Sequence, residues 1–284
     1  MSGLLIAPAI MAGLGLFFSV ILAVSYRFLK VQEDPRVEET EALLPGSNCG
    51  ACGQPGCHAF AEKLVVGSLK PSQCTVAGPE IIDAVAELLD VDPGQQERRI
   101  ARLRCAGGKA QAYQIAEYHG FENCRAAAIV SGGGKGCSWG CLGLGDCGVA
   151  CDFDAIFMNR NGLPEVDIDK CTACGDCVEA CPRNLFVLAP LAQKLFVQCS
   201  TPLHGDAAMA LCKVACDACG RCAADAAQGL VQMVENLPLV DYSAGGPALP
   251  DATYRCPTGA IQWLEGSQFA NEGSSMTQRE SRYA

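Results

Sequence analysis

Basic side chains are scarce in this sequence. It has 21 Lys and Arg against 31 Asp and Glu, which gives a formal net charge of −10 at pH 7. General nucleic-acid binding needs a basic face, so this balance argues against a nucleic-acid partner. Aromatic side chains are also few, at 6% of the 284 residues, whereas glycine is plentiful with 31. The backbone is therefore expected to approach its neighbours closely at many points.

Familiar catalytic arrangements are missing as well. Of the three histidines, His58, His119 and His204, none belongs to a Ser/His/Asp or Cys/His nucleophile pattern, and all are expected at the surface. The run GGGKG at 132–136 matches neither the P-loop nor the dinucleotide-binding glycine pattern, so its glycines are expected to allow a turn before Cys137. The sequence thus offers no catalytic residue and no nucleotide site of its own.

Charge is absent altogether from residues 4–26. At ~1.5 Å per helical residue this stretch reaches roughly 34 Å, against a hydrocarbon core of about 30 Å. A cleaved signal peptide is the alternative, but no Lys or Arg precedes the stretch and its apolar part is long. Arg27 and Lys30 follow at once, and positive residues favour the cytoplasmic side. We predict a single-pass anchor at 1–27 in the cytoplasmic membrane, with the rest of the chain on the cytoplasmic side.

Cysteine, by contrast, is abundant, with 20 residues. In a short secreted chain this number predicts disulfides, whereas tight spacings in a reducing compartment predict metal ligation. After a linker at 28–47, a predicted domain at 48–95 carries a Cys-x2-Cys-x4-Cys loop and a distant fourth cysteine. One [4Fe–4S] cluster fits this group, with structural zinc as the alternative. The first group is Cys49, Cys52, Cys57 and Cys74.

Two further groups follow a connecting segment at 96–136. The run CTACGDCVEACP at 171–182 matches the pattern of two-cluster ferredoxins, in which the fourth Cys of each run ligates the other cluster. A stretched run precedes it at 137–151, and Asp152 replaces its usual Pro. Between the runs we expect a short helix and two strands joined at Asn161-Gly162, within a two-cluster domain at 137–190. Cross-ligation predicts two sets: Cys137, Cys141, Cys147 and Cys181, and then Cys171, Cys174, Cys177 and Cys151.

The last group is incomplete. The stretch CDACGRC at 216–222 opens a ferredoxin run, but Ala226 stands where its fourth Cys belongs. Cys256, followed by Pro, resembles the end of a run whose first three cysteines are missing. Cross-ligation leaves one cluster's set complete, at Cys216, Cys219, Cys222 and Cys256. We predict a degenerate ferredoxin-like domain at 191–264 and a disordered tail at 265–284.

Four cysteines remain outside these sets. They are either small buried hydrophobes or the ligands of a fifth cluster gathered from distant segments. Cys212 also competes as a ligand of the last group, since it lies four residues before Cys216. The sequence therefore predicts four [4Fe–4S] clusters and leaves a fifth open. The remaining four are Cys105, Cys124, Cys199 and Cys212.

Three features together resemble the RnfB family, which supplies one component of the Rnf complex, a membrane-bound ion-translocating ferredoxin:NAD oxidoreductase. They are the uncharged amino-terminal helix, the block LPGSNCGACGQPGC at 44–57 and the block GCLGLGDC at 140–147. The resemblance runs to about residue 264 and departs from the family's longer form at Ala226 and before Cys256. The expected fold is α+β: one transmembrane helix, a small [4Fe–4S] domain and two ferredoxin-like βαββαβ units, the second degenerate.

The resemblance implies an electron carrier that is one subunit of an oxidoreductase and translocase. Electrons would enter from reduced soluble ferredoxin and leave toward membrane and flavin-bearing subunits, while the whole complex moves ions and reduces NAD. The basic run RRIARLR at 98–104 is expected to be a solvated face, with a docking patch for an acidic electron carrier as the alternative. Two other functions stay open: an electron-transfer adaptor of a different membrane oxidoreductase, and a zinc-stabilised membrane-anchored scaffold.

Overall fold

The amino-terminal helix α1, Gly3–Leu29, stands apart from the remaining elements. The computed structural model describes residues 3–29, 34–243 and 246–269. Within these residues one helical segment, Ile10–Phe28, is long and apolar enough to cross a membrane, and it is not buried against the rest of the protein. Its apolar side chains, such as Leu16 and Phe17, therefore face outward. By its length and composition, this helix is consistent with the predicted anchor.

Three helices form the next part of the chain: α2 (Pro35–Leu43), α3 (Cys57–Val65) and α4 (Pro79–Leu89). Two of them start with proline at the first helical position, where its missing N–H costs nothing. Phe60, Leu64 and Val85 make their common core, and Val37 of α2 joins it. Helix α2 thus packs into this core although it lies in the segment predicted as a linker.

Eight short strands follow, and they pair in a repeated order. The first set runs from residue 99 to residue 190 and the second from 195 to 263. In each set the outer two strands pair antiparallel with each other and the inner two form an antiparallel hairpin. The pairs are β1 (Arg99–Leu103) with β4 (Phe186–Pro190), β2 (Ile156–Met158) with β3 (Pro164–Val166), β5 (Leu195–Val197) with β8 (Ile261–Trp263), and β6 (Val231–Val234) with β7 (Leu237–Val240).

Short helices lie between these strands. Three of them, α6, α7 and α9, begin directly after a glycine in the left-handed region, at Gly145, Gly175 and Gly220. Glycine adopts this conformation at little cost, and each of the three helices then carries a cysteine at its second position. The six helices are α5 (Cys124–Ile129), α6 (Asp146–Val149), α7 (Asp176–Ala180), α8 (Gly205–Met209), α9 (Arg221–Asp225) and α10 (Asp251–Tyr254).

The hairpin β2–β3 confirms the two strands predicted between the cysteine runs. Its turn is closed by Asn159, whose side-chain oxygen accepts from the amides of Asn161 and Leu163 at 3.0 Å each. Gly162 supplies the positive φ that the turn requires. A short helix was expected before β2, but residues 152–154 form a turn and a bend instead.

The basic run at 98–104 is solvated only at its start, where Arg98 and Arg99 are exposed, and the prediction of a solvated face is wrong for residues 100–103. Residues 99–103 form β1, and all but the first of them are buried. The strand β1 pairs with β4, and this pairing buries its residues. Arg102 is only 2% exposed. Its guanidinium donates to the carbonyl of Gly266 at 2.8 Å. The predicted boundary at residue 137 therefore separates β1 from the strand with which it pairs.

Residues 265–269 belong to the stretch predicted as a disordered tail, yet they pack against the first set of strands. The side chain of Gln268 bonds both the amide and the carbonyl of Leu103, and Phe269 is buried in the same core. Through these contacts the chain returns from the second set of strands to the first set. Residues 270–284 lie outside the described residues.

Candidate metal centres

The amino-terminal cysteine group lies against the core of the helices. Asn48, in a left-handed conformation, accepts a hydrogen bond from the amide of Cys57 at 2.7 Å and so closes the loop onto the start of α3. Cys52, Cys57 and Cys74 all pack on this core, and burial raises the pKa of the Cys74 thiol. We name this group site I; its members are Cys49, Cys52, Cys57 and Cys74.

The other sixteen cysteines line four separate cavities, four to each cavity. The cavities are alike in size, and all four are small. Their cysteines are Cys151, Cys171, Cys174 and Cys177 in site II; Cys124, Cys141, Cys147 and Cys181 in site III; Cys105, Cys137, Cys199 and Cys212 in site IV; and Cys216, Cys219, Cys222 and Cys256 in site V. Similar size and the same four thiols indicate one kind of bound group.

Sites II and V contain the same cysteines as two of the predicted sets. In site II, α7 carries Cys177, and Cys151 comes from the earlier run and accepts from the amide of Ala155 at 3.4 Å. In site V, α9 carries Cys222, and the remote Cys256 completes the cavity. The fourth cysteine of a run thus meets the first three of another, as cross-ligation requires.

Site III differs from the predicted set, because Cys124 takes the place given to Cys137. Asn123 caps α5 by accepting from the amide of Ala126 at 2.7 Å, which starts the helix at Cys124. The carboxylate of Asp146, at the start of α6, then accepts from the Cys124 amide at 2.8 Å. This bond holds Cys124 beside Cys147, the second residue of α6.

Site IV joins the two sets of strands. Cys105 lies just after β1 and Cys199 just after β5, so each set contributes to the same cavity. Cys212 follows α8, and its backbone forms a β-bridge with Ala112. Three members belong to the predicted fifth set, and Cys137 replaces Cys124 as the fourth. The spacing of three residues between Cys137 and Cys141, one more than a ferredoxin run has, was the sequence signal that these two belong to different sites.

Neighbouring sites share hydrogen bonds from amide to sulfur. The amide of Cys141 in site III donates to Sγ of Cys105 in site IV at 3.3 Å. The amide of Cys216 in site V donates to Sγ of Cys199, again in site IV, at 3.3 Å. Helix α6, which carries Cys147 of site III, packs against helix α7, which carries Cys177 of site II. The four cavities therefore follow the order II, III, IV, V.

Burial disfavours the ionised form of these thiols. It raises the pKa of Cys174 to about 11 and the pKa values of Cys141, Cys177 and Cys216 to about 12. Burial also raises the pKa of Cys147. A ligating cysteine must be a thiolate, so the bound group has to supply positive charge and displace these protons.

A single zinc ion does not suit this arrangement. With Zn–S bonds of about 2.3 Å, tetrahedral thiolates lie about 3.8 Å apart. Within the part of the chain that the structure describes, no three His, Cys, Asp or Glu side chains come together closely enough to hold one metal ion. The same cysteines instead line the four cavities in groups of four. This favours iron–sulfur clusters over structural zinc.

The histidines take no part in these sites. The side chains of His58 and His119 are 48% and 78% exposed and lie beside carboxylates. His204 precedes α8 and does not line any of the four cavities. The turn expected before Cys137 is present, with Gly132, Gly133 and Gly134 at positive φ.

Substituting Gly107 by Ala should remove the group held at site IV. A Cβ at this position would lie 2.8 Å from Sγ of Cys212, closer than real Cβ contacts, and only 3.8 Å from Sγ of Cys105. We expect the variant to lose about four iron atoms, one [4Fe–4S] complement, by iron analysis. Gly78→Ala is the matched control, because nothing lies within 4 Å of its added Cβ. Unchanged iron in Gly107→Ala would contradict the assignment of site IV.

Comparisons with known proteins match two iron–sulfur families and several relatives. A family described as "Putative Fe-S cluster" matches residues 44–76, which contain site I, and one described as "4Fe-4S binding domain" matches residues 163–186. The RnfB component of the Na(+)-translocating ferredoxin:NAD(+) oxidoreductase complex of Acetobacterium woodii is 44% identical over 216 residues, covering 76% of this chain and 65% of that protein. The present chain thus spans slightly less than two thirds of that relative.

Two other relatives match along nearly their whole length. The RnfB component of the ion-translocating oxidoreductase complex of Methanosarcina acetivorans is 36% identical, covering 85% of this chain and 92% of that protein. The corresponding component of the proton-translocating ferredoxin:NAD(+) oxidoreductase complex of Clostridium ljungdahlii is 36% identical, covering 92% and 93%.

The cysteine cavities and the matched families define an iron–sulfur protein of mixed helix and strand structure with a candidate membrane helix. The identity to these relatives, and the share of each chain that it covers, show which family within this class the chain belongs to. The chain belongs to the RnfB family of ion-translocating oxidoreductase complexes, the family that its motifs resemble.

Proposed function

We propose that this chain is the electron-carrying subunit of a membrane-bound Rnf-type complex, with [4Fe–4S] clusters at sites I to V. It takes electrons from reduced soluble ferredoxin and passes them to membrane and flavin-bearing subunits, while the complex reduces NAD and moves ions. The observation that carries the proposal is the row of four similar four-cysteine cavities, II to V, with sulfur-directed amide bonds at both borders of site IV.

The protein's own contribution is ligation, insulation and electrostatics. A bound [4Fe–4S] cluster takes up and gives back one electron at a time. The cysteines hold it, and the apolar neighbours, such as Leu103 and Leu185 at site III, keep water away. Backbone amides aimed at Sγ of Cys105, Cys151 and Cys199 favour the charged sulfur and thereby influence the potential.

The two sets of strands support a ferredoxin-like unit each, running from β1 to β4 and from β5 to β8. The first holds sites II and III, and site IV lies where the two units meet. In the second unit only site V remains. Ala226, Tyr242 and Ala252 pack with other apolar side chains in the core of that unit, where the cysteines of a second cluster are missing.

The exposure of site V and the position of site I after the candidate membrane helix indicate where electrons enter and leave. Among the cysteines, all of which lie in the described ranges, only Cys219 of site V is exposed, which makes site V the accessible terminus of the row and the proposed entry from ferredoxin. Site I begins 20 residues after the end of α1 at Leu29, close along the chain to the candidate membrane helix. We place the anchor in the cytoplasmic membrane with the remaining chain on the cytoplasmic side, from the basic residues that follow it.

Anaerobic iron, sulfide and zinc analysis of the purified full chain tests the proposal. Five sites with four iron atoms each predict about twenty iron and about twenty sulfide per chain. About sixteen would mean that one site is not used. Zinc in place of iron would overturn the electron-carrying function, because zinc has no redox chemistry.

A further inference from the structure

A buried lysine lies at the border of sites III and IV. Lys135 is 8% exposed, and its ammonium donates to the carbonyls of Gly107 and Cys141. Gly107 lies in the wall of site IV, in the position where a Cβ would meet Sγ of Cys212, and Cys141 belongs to site III. One cation thus contacts the backbone of both sites.

The close fit of Lys135 indicates a position fixed by the fold. Its aliphatic stem runs past Gly140, where an added Cβ would lie 3.3 Å from Cε. The left-handed glycines 132–134 turn the chain immediately before it, and the amide of Gly136 bonds the carbonyl of Tyr113 at 2.9 Å. The ammonium therefore has little freedom to leave the border between the two sites.

In the part of the chain that the structure describes, no carboxylate forms an ion pair with Lys135. Lys135 also lines a groove at the surface, the outer groove, together with Glu117 and Lys109. Glu117 is exposed and lies against His119. Burial of an ammonium without a counter-ion is unfavourable, so an anion close to this position would stabilise it. A cluster held by four thiolates is a net anion, and it becomes more negative by one charge when reduced.

We propose that Lys135 is a potential-setting residue for sites III and IV: its fixed positive charge favours the reduced state of both clusters and so favours electron residence at the junction of the two units. The inference rests on the proposed function, since it requires clusters at these two sites. Lys135 acts through space and through the carbonyls it holds, not as a ligand. The same charge contributes less to sites II and V, because Lys135 lines site IV and bonds the carbonyl of Cys141 in site III but contacts neither of the other two cavities.

The test is an EPR-monitored redox titration of the full chain with iron counted in each sample. The neutral variants Lys135→Met and Lys135→Gln should lower the midpoints of two clusters. At the wild-type midpoint their reduced-to-oxidised ratio should fall about tenfold, which corresponds to about 59 mV for one electron. Lys135→Arg keeps the charge and should stay near wild type. Lys109→Gln is the matched control, an exposed lysine lining the same outer groove.

Each outcome has a distinct meaning. Signals are assigned by Cys124→Ala for site III and Cys212→Ala for site IV. Full iron with unmoved midpoints in both neutral variants would overturn this inference and leave the proposed function intact. Loss of about eight iron atoms from both neutral variants, with Lys135→Arg intact, would make Lys135 a cluster-retaining residue and would also overturn it. A wild-type chain without iron would overturn the proposed function itself, and the inference with it.

Discussion

Removing Cys137 together with Cys141 should cost the chain about eight iron atoms, whereas removing Cys137 together with Cys212 should cost about four. The structure puts Cys137 and Cys212 in site IV and Cys141 in site III. Two alanines within one site destroy one cluster, and two alanines in different sites destroy two. Iron analysis of the double variants therefore measures which cysteines act together, in the way that double-mutant cycles measure coupling.

Two further double variants, in which Cys124 is substituted instead of Cys137, distinguish the two groupings of cysteines. Cys124→Ala with Cys141→Ala should lose about four iron atoms, and Cys124→Ala with Cys212→Ala about eight. The grouping predicted from the sequence gives the opposite numbers for both pairs if the four leftover cysteines hold a fifth cluster. Without a fifth cluster, it gives a loss of about four for the first pair and no loss for the second. Cys171→Ala with Cys174→Ala is the matched control, because the sequence and the structure agree on site II and about four atoms should be lost. Four lost from Cys137 with Cys141 would reject the grouping seen in the structure.

Where the spacing of the cysteines is regular, the sequence predicted the same cysteine groups that the structure brings together. Cross-ligation groups the cysteines of sites II and V as the structure does, because the spacing of a ferredoxin run follows from how the chain wraps one cluster. The hairpin at β2–β3 was predictable for a similar reason, since its turn depends on local residues, Asn161 and Gly162. Membership in the family could also be predicted, from two short cysteine-rich blocks.

Local sequence patterns did not predict the contacts between residues that are distant in the chain. The strand β1 pairs with residues more than eighty positions later, so the whole basic run at its location was expected to be solvated, whereas residues 100–103 are buried. Cys124 reaches site III through the cap at Asn123 and through the bond to Asp146, a tertiary contact. Phe269 is buried because residues after the second unit return to the first.

The remote Cys256 should be as necessary for site V as its three near neighbours. It lies 34 residues after Cys222, yet both line the same cavity, and their thiols are close enough for Cys256 to raise the pKa of Cys222 in addition to the larger effect of burial. We expect Cys256→Ala to lose about four iron atoms, and the double variant with Cys222→Ala to lose no more. A loss of about eight in the double variant would show that the two cysteines serve different clusters.

Ala226→Cys is the complementary experiment, and it should add no iron. One restored thiol cannot hold a cluster whose other three ligands are missing, and the surrounding space is filled. Ala226 packs in a core with Leu230, Ile261 and Tyr242, and the Tyr242 hydroxyl donates to the carbonyl of Leu195 at 2.9 Å. A gain of about four iron atoms would mean that unrecognised ligands lie nearby. Unchanged iron, together with the loss in Cys256→Ala, would support the view that the second unit lacks one complete cluster while the other keeps all four ligands.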